Sequence, residues 1–180
     1  MLRRLFVISF FALLSSGILA DEPAAFTRTT IDIGTVVSDL DASVRFYTEG
    51  IGFHELSSFQ VTAELAASVG LTDSKPLDVR VLVLGEGPTA TKLKLMQVAD
   101  SSPREGDNEF IHSHTGFRYL TIMVTDTIDV LAKLAAIGVK PLAYPVTLPK
   151  NLAPGMSLTC VKDPDGNLVE LIGPAIGPAP

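Results

Sequence analysis

The chain has 180 residues, 47% hydrophobic and 19% charged, with a formal net charge of −6. An acidic chain without a basic stripe argues against nucleic acid or an anionic membrane surface as partner. Cys160 is the single cysteine, so no internal disulfide can form and the fold must rest on its core.

Residues 1–20, MLRRLFVISFFALLSSGILA, have the layout of a secretory signal: Arg3 and Arg4, an apolar run from Leu5, then small residues up to Ala20. Ser9, Ser15, Ser16 and Gly17 interrupt the run, which falls short of the roughly 20 apolar residues that span a bilayer. Cleavage would leave about 160 residues, exported to the periplasm or secreted and free of the membrane, enough for one domain or two small modules sharing a core.

A strand, a Val-Ser-Asp corner, an amphipathic helix and a glycine stop fill TIDIGTVVSDLDASVRFYTEGIGF, residues 30–53. Ser38 or Asp39 caps this helix, Leu40, Val44 and Tyr47 form its apolar face, and Gly50 and Gly52 end it. Strand-like runs follow in HELSSF, DVRVLVLG and TKLKLMQV, and QVTAELAASVG reads as an inserted helix over the sheet, with Val61, Leu65 and Val69 at spacing four. ADSSPREGDNEFIHSHTG, residues 99–116, is a polar connection in which His112 and His114 are read as solvated.

The plan then repeats in RYLTIMVTDTIDVLAKLAAIGVK, residues 118–140: Asp126 caps, Ile128, Leu131 and Ala135 form the stripe, and Gly138 precedes Pro141. PLAYPV, MSLTCVKD and NLVELIG follow as strands, the last two joined by the DPDGN turn, with Cys160 read as a buried, inert thiol. The expected organisation is a signal peptide at 1–20, a first βαβββ module at 27–100, a connection at 101–116, a second module at 117–173 and a disordered Gly/Pro tail at 174–180.

VVSDLDASVRFYTEGIGF near the start and KDPDGNLVELIG at the end of two such modules resemble the vicinal oxygen chelate superfamily. Its members include glyoxalases, methylmalonyl-CoA epimerases, extradiol dioxygenases, fosfomycin-resistance enzymes and bleomycin-binding proteins. The resemblance implies an α+β fold, two βαβββ modules whose curved mixed sheets form a cup. In metal-dependent members it implies a divalent ion held by one residue from each of four strands. The matching positions here are Asp32 and Tyr119, each seven residues before a corner aspartate, together with Lys94 and Glu170. Only Glu170 carries the family's usual residue.

Strand alternation places Asp32, Gly34 and Val36, Lys94 and Met96, Tyr119, Thr121 and Met123, and Glu170 on the cup faces, with Ile33, Leu95, Leu120 and Leu171 toward the helices. Asp32 and Glu170 are the two eligible metal ligands of the four. Lys94 is expected to have taken over the metal's charge, with Glu170 meeting Lys94, Tyr119 or both. No cofactor is therefore expected, a divalent metal on Glu170 and Asp32 being the alternative. One reading is a binding module holding an apolar or cationic small molecule against Lys94, Met96, Thr121 and Met123. Another is a lyase or isomerase moving a proton next to a carbonyl, with Glu170 or Asp32 as base and Tyr119 or a cation at the oxyanion. A structural role is the third, and the resemblance admits either a cup closed within one chain or a homodimer that exchanges modules. A dioxygenase is disfavoured for want of two histidines and a carboxylate facing one point.

Export carries its own test: intact-mass measurement on protein from the producing cell should show a chain starting at or close to Asp21, and full-length chain recovered from the cytosol would contradict it.

Overall fold

Apolar side chains recurring at every second position set the strands, and glycines and prolines set the turns between them. The computed structural model describes residues 26–28, 30–104 and 106–177, so the expected signal at residues 1–20 lies outside the described residues. Among the described residues eight strands form: β1 (Asp32–Val36), β2 (His54–Val61), β3 (Leu77–Leu84), β4 (Thr91–Val98), β5 (Tyr119–Met123), β6 (Val146–Thr147), β7 (Ser157–Lys162) and β8 (Leu168–Gly173). They build two four-stranded mixed sheets, ordered β1-β4-β3-β2 and β5-β8-β7-β6, with β1 parallel to β4 and β5 parallel to β8. This is the α+β pair of βαβββ units that the repeat implies. β6 is shorter than PLAYPV led us to expect, because Pro141 and Pro145 have no N–H to give a ladder.

The registers of the two units correspond. Asp32 lies opposite Lys92 and Gly34 opposite Lys94, as Tyr119 lies opposite Leu168 and Thr121 opposite Glu170. Lys94 and Glu170 are therefore equivalent positions of the repeat.

Asp39 caps α1 (Leu40–Arg45), its Oδ1 accepting the Ala42 N–H at 2.9 Å. The helix runs on as a π-helical turn over Phe46–Ile51 and stops at Gly52, whose φ of 106° suits glycine alone. Gly50 has a different task from the stop assigned to it. A Cβ there would lie 2.6 Å from Leu134 Cδ2, so its absence lets the second unit's helix come close. That helix, α3 (Thr127–Ala136), is capped by Asp126 and buries Thr127, Val130, Leu131 and Leu134, whereas Ala135 of the expected stripe is exposed. The stripe is rotated because α3 packs on the first unit's helix as well as on its own sheet.

The inserted helix, α2 (Ala63–Ser68), does lie over the first sheet, on the face away from α1, but the face it turns inward is not Val61, Leu65 and Val69. Ala66 is buried against Leu77, Val79 and Val81, while Leu65 and Val69 are exposed. Val61 belongs to β2 and Thr62 caps α2, so the spacing-four run crosses an element boundary, and a small side chain lets the helix sit close on the strands.

A single core spans both units, joining Phe46, Leu93 and Leu95 to Leu131, Leu134 and Leu171, with Ile33, Val44 and Leu120 packed at its margin. Inside the junction, Tyr47 Oη donates to Asp163 Oδ2 at 3.0 Å across 116 residues of sequence. Asp163 Oδ1 accepts the N–H groups of Asp165 and Asn167, and Asn167 Nδ2 donates to Oδ2, all at 2.8–3.0 Å. Burial pushes the Asp163 carboxyl above its ordinary range despite these donors, and burial together with Asp163 holds the Tyr47 phenol protonated, so it remains the donor. The tail is a correction: Thr127 N–H donates to Pro174 O, and the N–H groups of Ile176 and Gly177 bind Asp126, so residues 174–177 are tied down rather than loose. Residues 178–180 lie outside the described residues.

Asp163→Ala strips the acceptor from two backbone N–H groups and from Tyr47, and should cost about 3 kcal/mol in urea unfolding, whereas Tyr47→Phe should cost about 1 kcal/mol. Equal and negligible losses would show that the junction does not depend on this carboxylate.

Candidate functional site

Side chains of paired residues on neighbouring strands point the same way, so the register lays out rows across each open face. On the first sheet the rows are Asp32, Lys92, Val83 and His54; then Gly34, Lys94, Val81 and Ser57; then Val36, Met96, Val79 and Phe59. On the second they are Tyr119, Leu168 and Lys162; then Thr121, Glu170 and Cys160; then Met123, Ile172, Leu158 and Val146. Both faces run from a polar end to an apolar end. On the first sheet α2 covers part of the apolar end.

Asp32 is the most heavily engaged group. Its Oδ2 lies 2.9 Å from Lys94 Nζ and its Oδ1 2.7 Å from Arg28 Nη2, with side-chain exposures of 15% for Asp32, 37% for Lys94 and 45% for Arg28. The Lys94 ammonium first, and the Arg28 guanidinium second, hold the Asp32 carboxyl below its ordinary range. A depressed carboxyl contributes stability above its unfolded pKa and loses it as pH falls through the folded value, so this pair is intact at neutral pH and fails in acid. Its exposure keeps the contribution to about 1 kcal/mol or less.

Glu170 meets neither Lys94 nor Tyr119. Its Oε2 accepts a 2.6 Å hydrogen bond from Thr121 Oγ1, the residue opposite it on β5. Lys94 lies on the other sheet and is drawn to Asp32; Tyr119, one row away, is 51% exposed. Cys160 is half-buried on the open face beside Glu170, not in the core, and burial and that carboxylate push its thiol up, which keeps it protonated and unreactive. Met96 is half-buried and Met123 is 63% exposed, both on the apolar rows. Among the described residues, no hydrogen bond or ion pair joins Asp32 and Lys94 to Thr121 and Glu170.

The divalent ion implied by the resemblance does not fit these residues. An ammonium sits on Asp32 where a third ligand would be needed, and among the described residues no group of three or more His, Cys, Asp or Glu side chains gathers to hold a metal. His112 and His114 lie exposed on the connection, His112 stacked on Phe110 at 5.6 Å.

Sequence reasoning missed three cations on these faces, Arg28, Lys92 and Lys162. The two-residue spacing of Lys92 and Lys94 signalled the second; Arg28, outside any strand, carried no periodic signal. It also missed Arg118, whose guanidinium donates to the carbonyls of Asp107, Phe110 and Ile111 and so organises the connection. A cavity of about 410 Å³ opens where that connection meets both units, lined in part by Ser38, Gln97, Arg104, Asn108 and Asp165.

Residues 31–171 match the family model for the Glyoxalase/Bleomycin resistance protein/Dioxygenase superfamily. A glyoxalase family protein from Bacillus cereus superposes with a TM-score of 0.70 at 16% identity, over 87% of this chain and 100% of that one. A glyoxalase I mutant from Zea mays superposes with a TM-score of 0.61 at 20% identity, over 83% of this chain and 46% of that one. For the trypanothione-dependent glyoxalase I of Leishmania major the TM-score is 0.52 at 20% identity, over 82% of this chain and 87% of that one. At these identities the likeness is one of fold. No curated protein sequence matches the chain.

Proposed function

The chain belongs to the Glyoxalase/Bleomycin resistance protein/Dioxygenase superfamily, and from that premise we propose that it is an exported member that binds a small molecule on its cup faces, its metal site having lapsed. The observation that carries the reading is the 2.9 Å contact of Lys94 Nζ with Asp32 Oδ2. A carboxylate whose two oxygens are already taken by Lys94 and Arg28 is poorly placed to ligate an ion, and an ammonium in the shell repels one. Glu170, at the equivalent position of the second unit, is engaged by a hydroxyl. What remains is a polar end and, where α2 does not cover it, an open apolar surface, with Lys94 and Thr121 as polar contacts and Met96 and Met123 as adaptable apolar ones.

The reading makes a direct claim about metal content. Protein purified without chelator should carry little divalent ion by elemental analysis. Lys94→Glu replaces the ammonium beside Asp32 with a carboxylate and should raise zinc or manganese affinity by about tenfold or more over the parent. Stoichiometric metal retained by the parent through dialysis, with no gain in the variant, would contradict it.

A further inference from the structure

The polar end of the first sheet's open face carries more positive charge than its own acid neutralises. Arg28, Lys92 and Lys94 gather around the single carboxylate of Asp32, in a chain whose net charge is −6. Asp32 spends one oxygen on Arg28 and the other on Lys94. Lys92 stands directly opposite Asp32 in the β1–β4 register yet makes no ion pair or side-chain hydrogen bond among the described residues. Lys94 uses one of an ammonium's three donors on Asp32 and is 37% exposed, so donors remain. Alternation puts Lys92 and Lys94 on one face, about 7 Å apart along the strand, a span that one carboxylate or phosphate can bridge with two flexible side chains. The apolar row begins directly beyond, at Val36, 45% exposed, and half-buried Met96.

We propose that this end of the face is an anion site, taking the carboxylate or phosphate of an amphipathic small molecule between Lys92 and Lys94 while its carbon chain lies over Val36 and Met96. The proposal rests on the cup being a ligand site and names the class of ligand. It replaces the sequence expectation of an apolar or cationic ligand, since three cations at one end repel a cation and offer a neutral apolar molecule nothing. The fixed Asp32 has a positioning role: it holds Arg28 and Lys94 in place and leaves Lys92 to the ligand.

Four probes with one carbon chain separate the cases: butyrate, butyl phosphate, butyramide and butylammonium, each titrated into the 15N-labelled protein and followed by amide shifts. Butyrate, butyl phosphate or both should move the amides of β1 and β4 with affinity at least about fivefold above butyramide, and butylammonium should leave them in place. Lys92→Gln, which breaks no ion pair and should melt like the parent, should lower anion affinity about fivefold and flatten its salt dependence. If butyramide or butylammonium moves the same amides as strongly as the anions, or Lys92→Gln binds the anions undiminished, the anion class is wrong while the cup remains a ligand site. If the shifts fall only on β5 and β8, the anion proposal falls while the cup reading stands; if no probe moves the amides of either sheet, or the shifts fall only at residues 101–104 beside the junction cavity, both fall.

Discussion

Burying a carboxylate costs several kcal/mol unless donors meet it, and Asp163, only 5% exposed, is met by four: two backbone N–H groups of its own turn, the Asn167 amide and the Tyr47 hydroxyl from the other unit. Three of those donors need the DPDGN turn and the fourth needs the π-helical turn that continues α1 seated on the second unit, so the turn and the docking of the units stand or fall together. The next residues extend the tie. Ser38 N–H donates to Asp165 Oδ1 at 2.9 Å, and Gln97 Nε2 donates to Ser38 O at 2.8 Å, which links the turn to the ends of β1 and β4. β8 leaves that turn carrying Glu170, and β4 carries Lys94. The strands that present Lys94 and Glu170 are thereby anchored to one buried carboxylate.

Charge on the open faces follows a different rule, because the groups there are half-exposed and each pair contributes little to stability. Their consequence is chemical. Both oxygens of Asp32 are engaged by cations and Glu170 is engaged by Thr121, so each carboxylate of the open faces already has a partner. The same cations make the polar end of the first sheet basic in an acidic chain, and the graded rows beyond it give an amphipathic surface.

Much of the architecture was legible because it rests on local signals. The Val-Ser/Thr-Asp corners marked both helix starts, and Asp39 and Asp126 do cap them. Alternation in LKLMQV and LVELIG placed Leu95 and Leu171 inward and Lys94 and Glu170 outward, as the register has them. What sequence could not supply were properties of surfaces meeting. The stripe on α3 was misplaced because Gly50 brings a second helix against it, and α2 was turned over because Ala66, the least conspicuous residue of its segment, is the one that fits against the sheet. Partners of the polar groups were the least legible, since Lys94 and Glu170 occupy equivalent positions of a repeat but lie on separate sheets, each choosing the group opposite or beside it.

Whether an ion pair has displaced a metal is read most directly from Asp32 itself. Its side-chain carboxylate carbon can be followed by NMR through an acid titration, with and without excess zinc. Pairing with Lys94 and Arg28 requires a titration below the ordinary aspartate value of about 3.9, a return toward that value in Lys94→Gln, and a neutral-pH resonance indifferent to zinc. An ordinary titration unaffected by Lys94→Gln, together with a resonance that zinc shifts at neutral pH, would mean that Asp32 is a free ligand and that the metal site survives.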